Sequence, residues 1–340
     1  MTLSRLEIAA ARKPLSSKIW YRLFVVFITI ILLILTAFFG ALTIVNYGPS
    51  PAARDLFVVS VMETSAAKFL ARIYFSEAEV QEILEANRVM DLEGVSDGSL
   101  IHAPAAAEVE AAEDIIIEDI VGDTFKAKMM IVRDPSRVMV GVAHDTFVQG
   151  VRGKTVADII RRCEGTAGVN AGGFLDEQGK GDGSIPVGIV ISEGKLKWGS
   201  QSTTYEVIGI DNEHKLVIGK MTGKEALDRG IRDAVSFGPM LIINGEALEV
   251  KGAGGGLNPR TAIGQRADGA MLLLTIDGRQ VNSLGGSMSD VIDLMIEYEA
   301  VNAANLDGGS STVMIYEGEL INVCGSLYGP RAMPTAIVVK

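Results

Sequence analysis

One stretch constrains this chain before any other. From Leu23 to Val45 the sequence reads LFVVFITIILLILTAFFGALTIV, 23 residues without a charge. At about 1.5 Å per helical residue it matches a hydrocarbon core of about 30 Å. Residues 1–22 before it hold Arg5, Arg12, Lys13, Lys18 and Arg22 against Glu7 alone, and Trp20, Tyr21 and Tyr47 flank the run. Positive residues stay on the cytoplasmic side and aromatic rings sit at the interface. The expectation is a single-pass cell-membrane protein, anchored through residues 23–45. Its basic segment 1–22 is then cytoplasmic and the rest extracytoplasmic. A cleaved signal peptide is the alternative, but the run is long for one, and NYGPSPAARD after it offers no A-x-A cleavage site.

Net charge is −11. That balance argues against a nucleic-acid partner, which needs clustered Lys and Arg. Cys163 and Cys324 are the only cysteines, too few for a disulfide scaffold or a thiolate zinc site. An extracytoplasmic setting would let them pair, yet Cys163 continues the apolar face of Val156, Ile159 and Ile160, which favours a buried free thiol.

Past the anchor, residues 53–74 are helix-compatible, and Ser76–Glu79 forms a capping box that opens a helix to about Ala86. Residues 91–114 are rich in Ala, Glu, Asp and Gly, which predicts a solvated tether. Residues 46–114 are accordingly expected to be a helical and acidic linker region. From 115 to 340 short β-like runs alternate with turn residues. Hairpins are expected about Asp134–Ser136, within IPVGIVISEGKLKWG, within YEVIGIDNEHKLVIG, and at Ala267–Gly269. Short helices are expected after Thr155, Thr222 and Ser289, the last with the apolar face Val291, Leu294, Met295 and Tyr298. The fold class is α+β: a β-rich, mixed-sheet catalytic domain with interspersed helices, preceded by one transmembrane helix.

Several catalytic engines are absent from the sequence. There is no Walker A run and no G-x-S-x-G elbow. Gly252–Gly256 (GAGGG) lacks the context of a dinucleotide loop and reads as a mobile loop. Ser192 and Lys195 fit S-x-x-K but sit at a hairpin turn instead of on a helix. The only histidines are His102, His144 and His214, and of these His144 alone lies near candidate site material. What remains is a series of strand ends where Asp, Asn or Arg stands beside glycine: NAGGF (170–174), GDGS (181–184), SFGP (236–239), NPRTAIG (258–264), IDGR (276–279), NLDGGSS (305–311) and YGPR (328–331). Each alone is an ordinary turn; their number suggests a site, because functional groups collect where loops leave a rigid sheet. Arg260, Arg279 and Arg331 are forks suited to phosphate or carboxylate. Asp277 and Asp307 end two β-like segments. Two carboxylates with arginines and hydroxyls suit cleavage at an acetal carbon. A phosphate leaving group would make arginines matter more than acid catalysis.

The segments NAGGF, FGPMLIINGE, NPRTAIGQ, IDGRQ, AVNAANLDGGSSTVMIYEGELI and PRAMPTAIVVK, in this order, resemble the phosphodiester glycosidase family over about residues 125–340, including its membrane-anchored bacterial members. The resemblance implies hydrolysis of a glycan or sugar-phosphate substrate at a sugar-1-phosphodiester, with no cofactor. It puts the family's polar positions on Asn170, Arg260, Asp277, Arg279, Asp307, Ser310, Ser311 and Arg331. Asp277, Asp307 and Arg260 are then the expected catalytic group. Gly172, Asp182, Thr261, Gly308 and Gly309 join the expected substrate contacts. Asp182, Asp277 and Asp307 have no calcium-loop spacing, so no metal is expected. One departure stands out: Gly173 precedes Phe174 where the family commonly has two aromatics. A non-catalytic glycan-binding or scaffold protein of envelope or exopolysaccharide assembly, and a phosphodiesterase breaking P–O, are the alternatives.

Overall fold

The computed structural model describes residues 15–64, 67–102, 114–176, 181–326 and 328–340. Residues 1–14 of the basic segment and 103–113 of the expected tether lie outside them. The chain divides between Arg54 and Asp55 into two compact units. In the first, helix α1 (Leu15–Tyr47) contains a stretch, Lys18–Tyr47, long and apolar enough to cross a membrane. Its polar side chains bond back to its own backbone. The Thr29 and Thr43 hydroxyls donate to Val25 and Phe39 carbonyls at 2.9 and 2.8 Å. These two hydroxyls are thereby not presented as unsatisfied donors to an apolar surrounding.

The other helices are α2 (Pro51–Met62), α3 (Lys68–Tyr74), α4 (Glu77–Ala86), α5 (Val156–Arg162), α6 (Gly223–Asp228) and α7 (Met288–Glu297). The strands are β1 (Ile115–Val121), β2 (Lys126–Val132), β3 (Val138–Val142), β4 (Ala167–Asn170), β5 (Val190–Ser192), β6 (Lys195–Trp198), β7 (Thr204–Asp211), β8 (Leu216–Thr222) and β9 (Ile231–Ser236). They continue as β10 (Met240–Ile243), β11 (Glu246–Ala247), β12 (Arg260–Arg266), β13 (Met271–Ile276), β14 (Ala300–Leu306), β15 (Met314–Tyr316), β16 (Glu319–Leu320) and β17 (Thr335–Val339). They form three sheets, ordered β1-β2-β13-β12-β14-β10-β11, β16-β15-β4-β17-β3 and β6-β5-β9-β7-β8. The fold is α+β as expected, and every ladder between these strands is antiparallel.

Side chains from all three sheets meet in one core that includes Met130, Val169, Ile208, Val235, Leu273 and Ile337. Helix α7 covers the outer face of the seven-stranded sheet with Val291, Leu294 and Met295. Helix α5 packs Ile159 and Ile160 against the β17 sheet. The caps behave as the sequence indicates at Ser76, Thr155 and Thr222. At α7 the cap is Ser287, reciprocated by Asp290, and Ser289 lies inside the first turn. Both serines precede the same apolar face, and the carboxylate three residues on selects the earlier one.

Three further expectations change. The turn at Asp134–Ser136 does not close a hairpin. Asp134 caps a 3-10 turn (Pro135–Arg137) that carries the chain from β2 in one sheet to β3 in another. The linker expected over 46–114 is in part a wall of the domain. Asp55 onward belongs to the second unit, Val89 bridges Val250, Val95 bridges Gly219, and the Ser96 amide donates to the Ile218 carbonyl at 2.9 Å. GAGGG is packed rather than loose: Gly254, Gly255 and Gly256 are buried, and the Leu257 amide donates to Ser60 Oγ at 2.8 Å. At Gly256 (φ +54°) a Cβ would stand 2.5 Å from the Ser60 nitrogen, so only glycine lets α2 come this close. Cys163 and Cys324 are unpaired and half-buried.

Antiparallel pairing explains why the polar strand ends gather. Arg260 opposite Ile276 and Thr261 opposite Leu306 put the start of β12 beside the ends of β13 and β14. The Asp307 amide donates to the Ala171 carbonyl at 3.0 Å, which joins the end of β4 to the same edge.

Candidate functional site

At that edge lies a cleft of about 890 Å³. Of the positions singled out from sequence, Asp182, Arg260, Arg279, Asp307, Gly308, Gly309, Ser310, Ser311 and Arg331 line it. Asn170, Gly172, Thr261 and Asp277 do not.

Asp307 stands where β14 ends. Burial pushes its carboxyl up to about 6, against the opposing pull of a Ser311 hydrogen bond, the Arg331 charge and the Gly308 amide. The glycines serve this geometry. Gly309 has φ +61° and donates its amide to the Pro259 carbonyl at 2.7 Å, and a Cβ on it would meet Arg279 Nη2 at 3.1 Å. The turn therefore folds back under the Arg279 guanidinium and aims the Ser310 and Ser311 region at the cleft.

Arg331 is held by Asp176, with Nη1 donating to Oδ2 at 2.7 Å and to Ser310 Oγ at 3.4 Å. Its guanidinium carbon lies 4.9 Å from the centroid of the Phe174 ring. Burial raises the Asp176 carboxyl, but the Arg331 hydrogen bond, the Gly181 amide and the Arg331 charge prevail and hold it below its ordinary value. Arg279 donates through Nη2 to Asn258 Oδ1 at 3.1 Å and to Thr64 Oγ1 at 3.3 Å. Asp182 accepts from the Ser184 amide at 3.0 Å.

Arg260 lines the cleft, and its fork is engaged with the neighbouring loop. Its fork donates to the carbonyls of Gly255, Gly256 and Gly286 and lies 3.1 Å from the Glu63 carboxylate. It fastens the glycine loop and α2 to the sheet edge. Asn170 and Thr261 are clamps behind the cleft. The Asn170 amide donates to the Asp307 main-chain carbonyl, while its Oδ1 accepts from Thr261 Oγ1 at 2.9 Å and the Val313 amide at 3.1 Å. Gly172 is closed in: a Cβ there would come within 2.9 Å of Val235. Asp277 turns to the neighbouring loop, where Oδ1 accepts from Asn322 Nδ2 at 3.1 Å and the Val323 amide at 3.0 Å. Burial raises its carboxyl above the ordinary value.

The cleft also holds residues the sequence reading passed over: Glu63, Arg152 and Asp176. Glu63 accepts from Asn258 Nδ2 at 2.8 Å across 195 positions of sequence. Burial raises its carboxyl, with Arg260 and Arg279 opposing. No local pattern announces such a partner. Asp176 could have been found, two residues past NAGGF. His144 is tied to the Arg152 carbonyl, with Nε2 at 2.9 Å. Among the described residues no three His, Cys, Asp or Glu side chains group closely enough to hold a metal ion. The site thus unites carboxyls, Asp307 and Glu63 among them raised by burial, with serine hydroxyls and several arginines, including Arg152, Arg279 and Arg331, an arrangement suited to an anionic ester.

Residues 164–340 match the family model described as phosphodiester glycosidase. The SPbeta prophage-derived uncharacterized protein YomE of Bacillus subtilis is 28% identical over 185 residues, which is 50% of this chain and 27% of that protein. The Bos taurus N-acetylglucosamine-1-phosphodiester alpha-N-acetylglucosaminidase is 27% identical over 187 residues, 50% of this chain and 34% of that enzyme. This chain therefore spans about a third or less of the length of these curated relatives. The zebrafish enzyme of that name, solved as a catalytic domain auto-inhibited by its pro-peptide, shares the fold with a TM-score of 0.54 at 24% identity, covering 66% of this chain and 81% of that one.

Proposed function

The chain belongs to the phosphodiester glycosidase family, and on that premise we propose that it hydrolyses the glycosidic C–O bond of a sugar-1-phosphodiester. The carrying observation is Asp307, a carboxyl raised to about 6 within a cleft that arginines 152, 279 and 331 also line. A phosphodiester oxygen is a weak base and leaves without strong acid assistance. The arginines neutralise the departing phosphate, with Ser310 as a hydroxyl donor, while the Ser311 hydroxyl is given to Asp307. Asp307 acts ionised at the anomeric carbon, on a water or directly. Asn170 and Thr261 hold its backbone, and Asp277 serves as a positioning residue for the 322–323 loop instead of the second catalytic carboxylate. With α1 as a membrane anchor and the cytoplasm on the N-terminal side, the substrates are glycopolymers of the cell envelope, exopolysaccharide included.

The test is turnover by the detergent-solubilised chain in ¹⁸O-water, beginning with N-acetylglucosamine-1-phosphodiesters, the group in the bovine relative's name. Label in the released sugar supports C–O cleavage; label in the phosphate reassigns the reaction to P–O cleavage. Glycan binding without turnover, insensitive to Asp307→Asn, identifies a non-catalytic glycan-binding protein.

A further inference from the structure

A second cavity, of about 520 Å³, opens beside the first, and both are lined by Asp307, Asp176, Phe237 and Gly238. Its volume lies in the range of small-ligand sites. Its character differs from that of the cleft. Arg152, Arg279 and Arg331 belong to the cleft lining and to none of this one. Here the walls are Phe237, Tyr205 and Val187. The Phe237 ring lies against Gly173, where a Cβ would meet Cδ2 at 3.1 Å. The departure noted in the first motif is thus a seat for an aromatic ring supplied by another loop. The Tyr205 hydroxyl accepts from the Ser200 amide at 2.7 Å, which fixes its ring.

One carboxylate in this cavity has unused hydrogen-bonding capacity. Glu206, half-buried on β7, faces Lys220 across the ladder, but Lys220 is nearer to Asp91, at 3.3 Å against 3.9 Å. Among the described residues no hydrogen bond reaches the Glu206 side chain, and its Oε2 lies where a Cβ on Gly238 would be 2.6 Å away. A carboxylate accepts two O–H donors at once, and apolar walls suit the C–H faces of a pyranose.

We propose that this cavity is the glycosyl-binding arm, taking an uncharged pyranose through hydroxyls donated to Glu206 and rejecting uronates by like charge, while the arginine-lined cleft takes the phosphate. Asp307, at the junction, then faces the bond between the two. That last point rests on the glycosidase reading; sugar and phosphate occupancy do not.

The experiment is binding to the detergent-solubilised full chain, by ligand-observed NMR, of methyl α-glycosides of a neutral hexose, an N-acetylhexosamine and a hexuronic acid, with inorganic phosphate titrated separately. The neutral glycosides should bind at least tenfold more tightly than the uronate, and should bind together with phosphate. Glu206→Gln should weaken them about ten- to a hundredfold, the reach of one charge-assisted contact, and narrow the uronate gap, with phosphate binding intact. Val187→Trp, at a position 47% exposed, should block glycosides alone and carries little folding risk. Mutual displacement of glycoside and phosphate, or unchanged glycoside binding in both variants, overturns the proposal. Turnover with unchanged binding in both variants would leave the glycosidase reading standing without this arm. Selective binding without turnover would leave the arm standing without the glycosidase reading.

Discussion

The Asn170 side-chain amide donates to the main-chain carbonyl of Asp307, from the end of one sheet to the end of a strand in another. The same side chain receives Thr261 Oγ1 and the Val313 amide, so both acceptor positions of its oxygen are engaged. Asn170→Ala leaves a hydroxyl and an amide without their acceptor in a buried place and frees the Asp307 backbone. The expected outcome is a loss of about 1–3 kcal/mol of stability, read by denaturant unfolding, with a fall in kcat larger than any change in KM. Wild-type kcat in a folded Asn170→Ala protein would show that the clamp does not position Asp307.

Asp307 carries a second expectation, in pH. An unfolded Asp ionises near about 3.9, and in the fold burial raises this one to about 6. Between those values the native state binds more protons than the unfolded state, so stability falls as pH rises and levels off above about 6. The full cost of the ionised form is on the order of 2–3 kcal/mol. Asp307→Asn should remove that decline and become the more stable protein above pH 6, while kcat drops at least about a hundredfold. Wild-type activity should rise as pH climbs through about 6, because the ionised form acts. An activity that falls through the same range would make Asp307 a general acid.

How much of this was legible beforehand depends on the range of the interactions. The β7–β8 and β12–β13 hairpins and the caps at Ser76, Thr155 and Thr222 are set by neighbours in sequence, and they read correctly. Asp307 was visible because NLDGGSS has more polar and glycine residues than a turn requires. The crossing from β2 to β3 was not, since alternation looks the same whether the next strand pairs alongside or joins another sheet. The surroundings of the Asp277 carboxylate were not legible either, for a related reason. Its strand end does reach the site's edge, but the orientation of its carboxylate is decided by Asn322 and Val323.

That orientation is testable. Asp277→Ala removes the oxygen that accepts from both the Asn322 side-chain amide and the Val323 main-chain amide and should loosen residues 322–323. It should lower stability and reduce kcat by less than Asp307→Asn does, and the activity limb near pH 6 should persist. Complete loss of activity in a protein as stable as wild type would restore Asp277 as a catalytic group.

Arg331 offers a test of the electrostatics. Its charge lowers the Asp307 carboxyl, and its fork is paired with Asp176. Arg331→Ala should move the rise in activity to higher pH and raise KM, since one phosphate ligand goes. Asp176→Asn, which leaves Arg331 in place with a weaker partner, should raise KM less. A pH limb unmoved in Arg331→Ala would mean that Arg331 does not act on the titrating group.

The last expectation concerns the segment before the sheets. Glu63, 3.1 Å from the Arg260 guanidinium and accepting from Asn258, brings α2 to the cleft wall, and the Ser60 hydroxyl accepts from Leu257 beside it. The Arg260 side chain is 8% exposed and the Glu63 side chain 38%, so removing Glu63 strips the only carboxylate paired with a buried cation among the described residues there, with some relief from solvent on the Glu63 side. Glu63→Ala should cost about 1–3 kcal/mol, below the full range for breaking a buried pair. Glu63→Gln, which retains an acceptor for Asn258 and Arg260, should recover part of that. A chain begun at residue 115 loses these contacts together with Val89–Val250 and Val95–Gly219. It should unfold at lower denaturant and bind inorganic phosphate less tightly than one begun at residue 55. Equal stability and equal phosphate binding in the two truncations would show that α2 to α4 cover the sheet edge without supporting the cleft.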